Sequence, residues 1–155
     1  MPEPDFTDGI SGPALVPYLS VAGAASAIEF YERAFGAEVT VGPLVMPGGL
    51  IAHAELQIGD AAIMLADGGV PAELVATPSD VGQTTVQLML YVDDADAVTA
   101  TAIAAGADWV RPLADDFDGR RSAKIRDPYG HTWFISTRSS RSNDEVNKLL
   151  KEQFG

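Results

Sequence analysis

Residues 24–41 read AASAIEFYERAFGAEVTV, and the rest of the chain can be read outward from them. Ala24, Ala27, Ile28, Tyr31 and Phe35 recur at helical spacing, so residues 24–35 are predicted to form an amphipathic helix. Gly36 ends it, because glycine accepts the left-handed conformation found just past a helix. Residues 37–41, AEVTV, then read as a strand. Upstream, residues 14–21, ALVPYLSV, also read as a strand, and Pro17 marks it as an edge because it has no N–H to give a neighbour. Downstream, after the turn MPGG, Leu50–Ile58 and Ala61–Ala66 read as two more strands joined at Gly59-Asp60.

The same order then recurs. Residues 86–92, VQLMLYV, read as a strand, and Asp93 or Asp94 can cap a helix through DADAVTATAIAA that stops at Gly106. Residues 107–111, 121–126 and 132–136 supply three more strands, the last two joined by DPYGH. The spacings agree: Val21 precedes Gly36 by 15 positions and Val92 precedes Gly106 by 14. Gly36 to Gly59 is 23 positions and Gly106 to Gly130 is 24. An internal repeat of this period implies two copies of one supersecondary unit. The expected fold class is therefore α+β, with two tandem βαβββ modules at residues 14–66 and 86–137. A flexible N-terminal tail is expected over residues 1–13, and a Gly-, Pro-, Ser- and Thr-rich linker over 67–85. Residues 138–155 hold a polar linker and an amphipathic helix, NDEVNKLLKEQF. The helix's stripe of Val146, Leu149, Leu150 and Phe154 must pack on the domain or on a second chain.

Bulk properties narrow the function. The 155 residues are 46% hydrophobic, enough for a core, yet no apolar run reaches the roughly 18 residues that a membrane span needs. The N-terminus, MPEPDFTDGISG, does not read as a signal peptide, and cysteine is absent, so the expected location is the cytoplasm. The missing cysteines also exclude disulfides, thiolate zinc sites and a cysteine nucleophile. A formal charge of −12 repels phosphate backbones, so no nucleic-acid partner is expected. That charge serves solubility, and focused in a cleft it would favour a basic small molecule.

The stretches FYERAFGAE, IAHAELQIGD, YVDDADA, AAGA and RDPYGHTW, set in paired βαβββ modules, resemble the vicinal oxygen chelate superfamily. That group includes glyoxalase I, extradiol dioxygenases, fosfomycin-resistance enzymes and bleomycin-resistance proteins. The match runs from about Val16 to Ile135, and its wording is most similar to the PhnB-like branch. The resemblance implies a curved, cup-shaped mixed sheet with helices on its outer face. It also implies metal positions in each module, with His, Gln or Glu on the first strand and Glu on the last. Carried over by local motif, those positions fall on Val16, Met64 (or Ile63, one residue earlier), Gln87 and Phe134. Of these, Gln87 alone is a donor of the family's kind, and one neutral amide does not hold a divalent ion against water. The resemblance therefore implies a cleft without a metal, and no cofactor is expected.

Strand parity supplies the rest of the candidate ligand-binding set: Val16, Tyr18, His53, Glu55, Met64, Gln87, Met89, Tyr91 and Phe134. The list is apolar and aromatic with a few polar groups, the usual make-up of an organic-ligand pocket. The first expectation is a homodimeric protein of the bleomycin-resistance type, binding a small aromatic or cationic molecule for sequestration or resistance. A second is a metal-dependent lyase, isomerase or dioxygenase in which His53, Glu55 and Gln87 hold one divalent ion (Zn, Ni, Mn or Fe). A third is a metal-free enzyme with Glu55 or His53 as general base. Arg120 and Arg121 either clamp an anion or pair with Asp115, Asp116 or Asp118. Trp109 and Trp133 read as core, Asp127 as the holder of its own turn, and His131 as a backbone-satisfying residue.

Overall fold

The side chain that ties the first module together is a carboxylate at the end of a strand. In the computed structural model, which describes residues 12–70 and 76–155, Asp67 is 8% exposed. It closes β4 (Ala61–Asp67), at the first position of the expected linker. Its Oδ1 accepts the N–H groups of Gly23 and Ala24, at 3.0 and 2.8 Å, where α1 (Ala24–Phe35) begins. Its Oδ2 accepts the N–H of Ile51 at 2.8 Å, where β3 (Ile51–Ile58) begins. The helix needs this help because its N-cap, Gly23, has no side chain to supply an acceptor. At the other end Gly36, at φ +66°, donates its N–H to the Glu32 carbonyl and Ala37 donates to Tyr31, the helix stop that the sequence predicts.

Around this tie the first module builds a four-stranded mixed sheet. Its order is β1 (Tyr18–Val21), β4, β3 and β2 (Glu38–Val45), with β1 parallel to β4 and the other pairs antiparallel. Leu19, Val21, Ala54, Leu56, Ile58, Ile63 and Leu65 are buried, together with Ala24, Ala27, Ile28 and Tyr31 of α1. The alternation along β3 follows the expected parity, with Ala54, Leu56 and Ile58 buried and His53 and Glu55 half-buried. The expected strand at 14–21 begins only at Tyr18, since Pro17 contributes a carbonyl to Met64 N–H but has no N–H of its own. Val16 therefore precedes the strand. The first compact unit ends at Thr84 and takes in Pro128–Gly130, so the Tyr129 ring lies 6.3 Å from Phe30 and 6.4 Å from Tyr31.

The second unit repeats the arrangement. β5 (Gln87–Tyr91), β8 (Thr132–Ser136), β7 (Arg121–Arg126) and β6 (Asp108–Asp115) form a sheet in that order, again with the first pair parallel. Its helix, α3 (Ala95–Ala104), carries its own cap, because Asp94 accepts the Ala97 N–H at 2.9 Å. Ala123, Ile125, Trp133 and Ile135 form the buried side with Ala95, Thr99 and Ala102 of the helix. Trp133 donates its indole N–H to Asp127, whose other oxygen holds the turn through His131 N–H. Trp109 departs from expectation and is 47% exposed, as is its neighbour Val110 at 46%. β6 is an edge strand, and its register slips between Trp109 and Arg111, so strict alternation fails there.

Outside the sheets lie the short α2 (Pro78–Val81) and the C-terminal α4 (Asn143–Phe154). Each opens with a capping box, Thr77 with Asp80 and Ser142 with Glu145. Residues 1–11 of the expected tail and 71–75 of the expected linker fall outside the described residues. Among the described residues no helix is long and apolar enough to cross a membrane.

The two modules predict different sensitivities. Asp67→Ala leaves three N–H groups without their acceptor and is expected to cost about 3 kcal/mol in urea unfolding. Asp94→Ala removes one exposed cap and should cost about 1 kcal/mol in the same measurement.

Candidate ligand-binding site

On the first sheet the register lines up Tyr18, Met64 and Glu55 across three neighbouring strands, on the side opposite the buried residues. His53 stands two residues before Glu55 on the same side of β3. The structure joins three of these side chains. His53 Nε2 lies 2.9 Å from Glu55 Oε1, and His53 Nδ1 lies 2.7 Å from the Tyr18 hydroxyl. A carboxylate can only accept, so Nε2 carries the proton, while the Tyr18 hydroxyl meets Nδ1 and also reaches the Ala52 carbonyl at 3.4 Å. The result is a chain running Tyr18 O–H to His53 to Glu55, with the Met64 side chain beside it.

This geometry bears on which residues could hold a metal. Both ring nitrogens of His53 are engaged, so coordination would require displacing Tyr18 or Glu55. Among the described residues, no group of three or more His, Cys, Asp or Glu side chains is placed to hold a metal ion. Gln87, the third member of the alternative ligand set, starts β5 in the other unit and is exposed.

The second sheet has its own row. Met89 pairs with Phe134, Phe134 with Lys124, and Lys124 with Arg111. The two rows correspond position for position. Tyr18 and Met89 pair with Met64 and Phe134, so Met64 rather than Ile63 is the counterpart of Phe134. Ile63 points into the core, at 4% exposure. Glu55 of the first row thus has Lys124 as its counterpart in the second.

Sequence reading missed Arg111 and Lys124. Lys124 Nζ stands 5.1 Å from the Phe134 ring centroid and the Arg111 guanidinium 5.5 Å from it. Tyr91 is treated alike, with Arg138 at 4.4 Å and Arg120 at 5.8 Å from its ring centre. Each of these rings therefore has two of the chain's own cations beside it. The signal was present in the alternation of SAKIR, where Lys124 stands between buried Ala123 and Ile125. Arg121 is paired, with Asp96 at 2.5 and 2.8 Å and Asp115 at 3.2 Å. That hydrogen bonding holds the Asp96 carboxyl below its ordinary value. Asp96, 25 positions away, was not among the expected partners.

A family model for the Glyoxalase/Bleomycin resistance protein/Dioxygenase superfamily matches residues 14–135. The chain belongs to that superfamily. Within the superfamily it is 39% identical over 145 residues to the uncharacterized protein Mb0911c of Mycobacterium bovis, covering 91% of this chain and 94% of that one. Among solved structures it is similar to TioX from Micromonospora sp. ML1, with 28% identity, a TM-score of 0.62, and coverage of 84% of this chain and 100% of that one. The PhnB protein of Bacillus cereus shares the fold at 20% identity and a TM-score of 0.57, covering 81% of this chain and all of that one.

The loop between β6 and β7 is held from outside the sheet. Ser139 donates its hydroxyl to the Asp118 carbonyl, and Arg141 donates to the Phe117 carbonyl. Phe154 of α4 meets the Phe117 ring edge-on, at 6.3 Å. Gly119 sits beneath this clamp at φ +84°, where an added Cβ would lie 2.7 Å from Ser140 Oγ. Gly119→Ala should therefore release residues 138–142, read as faster limited proteolysis in that segment. Gly48→Ala, at φ +101° with open space around it, is expected to cost about 1 kcal/mol of backbone strain without that release.

Proposed function

We propose that this member of the superfamily binds a small organic molecule, aromatic or cationic, on the sheet faces that carry the candidate residues, and that it does so without a bound metal. The observation that carries this reading is the closed hydrogen-bond chain of Tyr18, His53 and Glu55 beside Met64. It offers a ring, a carboxylate and an apolar surface, while both nitrogens of His53 are already committed. The reading covers Val16, Tyr18, His53, Glu55 and Met64 in the first unit, and Gln87, Met89, Tyr91 and Phe134 in the second. The role is sequestration in the cytoplasm by a homodimer. Exposed Val86, Met89, Tyr91 and Val110 support a second chain as the cover for that apolar surface.

A second reading is favoured by the same chain of bonds. Glu55 orients His53 and would stabilise its imidazolium, so His53 can take a proton delivered through the Tyr18 hydroxyl. That is the base-and-orienter geometry of general-base catalysis. The function is then a metal-free enzyme whose base is His53, backed by Glu55.

Titration with a panel of planar basic compounds, followed by tyrosine and tryptophan fluorescence, tests the binding reading. We expect saturable binding that weakens by roughly tenfold in Glu55→Gln, the loss of one charge-assisted contact. Silence across the panel at millimolar concentration overturns it. Metal analysis after incubation with Zn, Ni, Mn and Fe salts and desalting should find well under one equivalent per chain. One full equivalent, lost in His53→Ala, would instead make His53 a metal ligand. Turnover with a pH profile that vanishes in His53→Ala would establish the enzyme reading.

A further inference from the structure

The second sheet carries a pocket of about 290 Å³ lined by Arg111, Asp116, Phe117, Asp118, Arg120, Lys124 and Phe134. Its three cations outnumber its two carboxylates, in a chain whose formal charge is −12. Most of these charges are spent on one another. Arg111 is fixed by Asp116 at 3.1 Å and by the Ser122 hydroxyl, which in turn donates to Asp116. Arg120 is ion-paired with Asp118, its Nε 3.1 Å from Oδ2, and that buried nitrogen is out of a ligand's reach. Lys124 is the unspent cation. It is half-buried, and among the described residues its ammonium has no hydrogen bond and no ion pair, only the Phe134 ring beneath it. A half-buried ammonium lacking an acceptor is a deficit that an oxyanion would fill.

The arrangement also limits which anion. The pocket's excess is a single positive charge, so one negative charge neutralises it. Asp116 and Asp118 would repel a second, as on a phosphate or sulfate dianion. The remaining walls are the Phe117 and Phe134 rings, which suit a flat apolar body. We infer that this pocket is a carboxylate-binding subsite, in which Lys124 receives the carboxylate of a small aromatic acid whose ring lies against Phe117 and Phe134. The inference deepens the small-molecule reading and rests on it for the presence of a ligand, but not on the Tyr18–His53–Glu55 chain of the first sheet.

The test is isothermal titration of the full-length protein with 1-naphthoate, 1-naphthamide, 1-naphthyl phosphate and 1-naphthylmethylammonium, with amide chemical shifts to locate binding. Naphthoate should bind at least about tenfold more tightly than the neutral amide, which keeps its ring but loses the charge-assisted bonds. Naphthyl phosphate should bind more weakly than naphthoate, and the shifts should centre on residues 117–124 and Phe134. Lys124→Met should lower naphthoate affinity to that of naphthamide and leave naphthamide unchanged, while Lys124→Arg restores most of the difference. The wild-type ligand series stands by itself should Lys124→Met fold poorly. Equal affinity for acid and amide, or a preference for the phosphate, overturns the carboxylate subsite. Binding of the ammonium compound alone, weakened by Glu55→Gln, overturns the subsite while supporting the first-sheet reading. No binding of any of the four at millimolar concentration overturns both.

Discussion

One buried carboxylate holds together segments that are far apart in sequence. Asp67 neutralises the start of α1, fixes the first residue of β3 and ends β4, so helix, hairpin and parallel crossover meet at a single side chain. Each N–H it accepts would otherwise be an orphan at an element's end, where neither helix nor sheet supplies a partner. The parallel pairing of β1 with β4 depends on this, because a parallel neighbour must be brought back by a crossover rather than a tight turn. The face bearing Tyr18, His53, Glu55 and Met64 exists only while that crossover keeps its register.

The two modules share a plan but have diverged in charge. The position that holds Glu55 on one sheet holds Lys124 on the other, and Met64 is matched by Phe134. A duplicated scaffold thus presents an acidic, hydrogen-bonded row and a basic, ring-backed row. Fold alone does not choose a function among the relatives, whereas the charge on these rows does constrain what each can accept.

Much of this was legible in the chain. Helical and strand periods gave α1, α3, β7, β8 and α4, because each has clean alternation and a glycine or polar cap at its ends. The partnership of Tyr18 with His53 was less visible, since parity puts both on one side without saying that they touch. Asp67 looked like the first residue of a linker, because an acidic residue before two glycines reads as a turn until its distant N–H partners are known. Trp109 misled because a bulge at an edge strand breaks the period from which burial is inferred. Arg111 and Lys124 were passed over for a related reason. The metal positions that the family resemblance implies fall elsewhere, on Val16, Met64, Gln87 and Phe134.

The grip of Ser139 and Arg141 on the β6–β7 loop has an implication for how such proteins diversify. Residues lining the basic hollow sit on a loop whose posture is dictated by a C-terminal segment that contributes none of that lining. The shape of that hollow can therefore drift through replacements in the tail alone, with every strand of the scaffold left untouched.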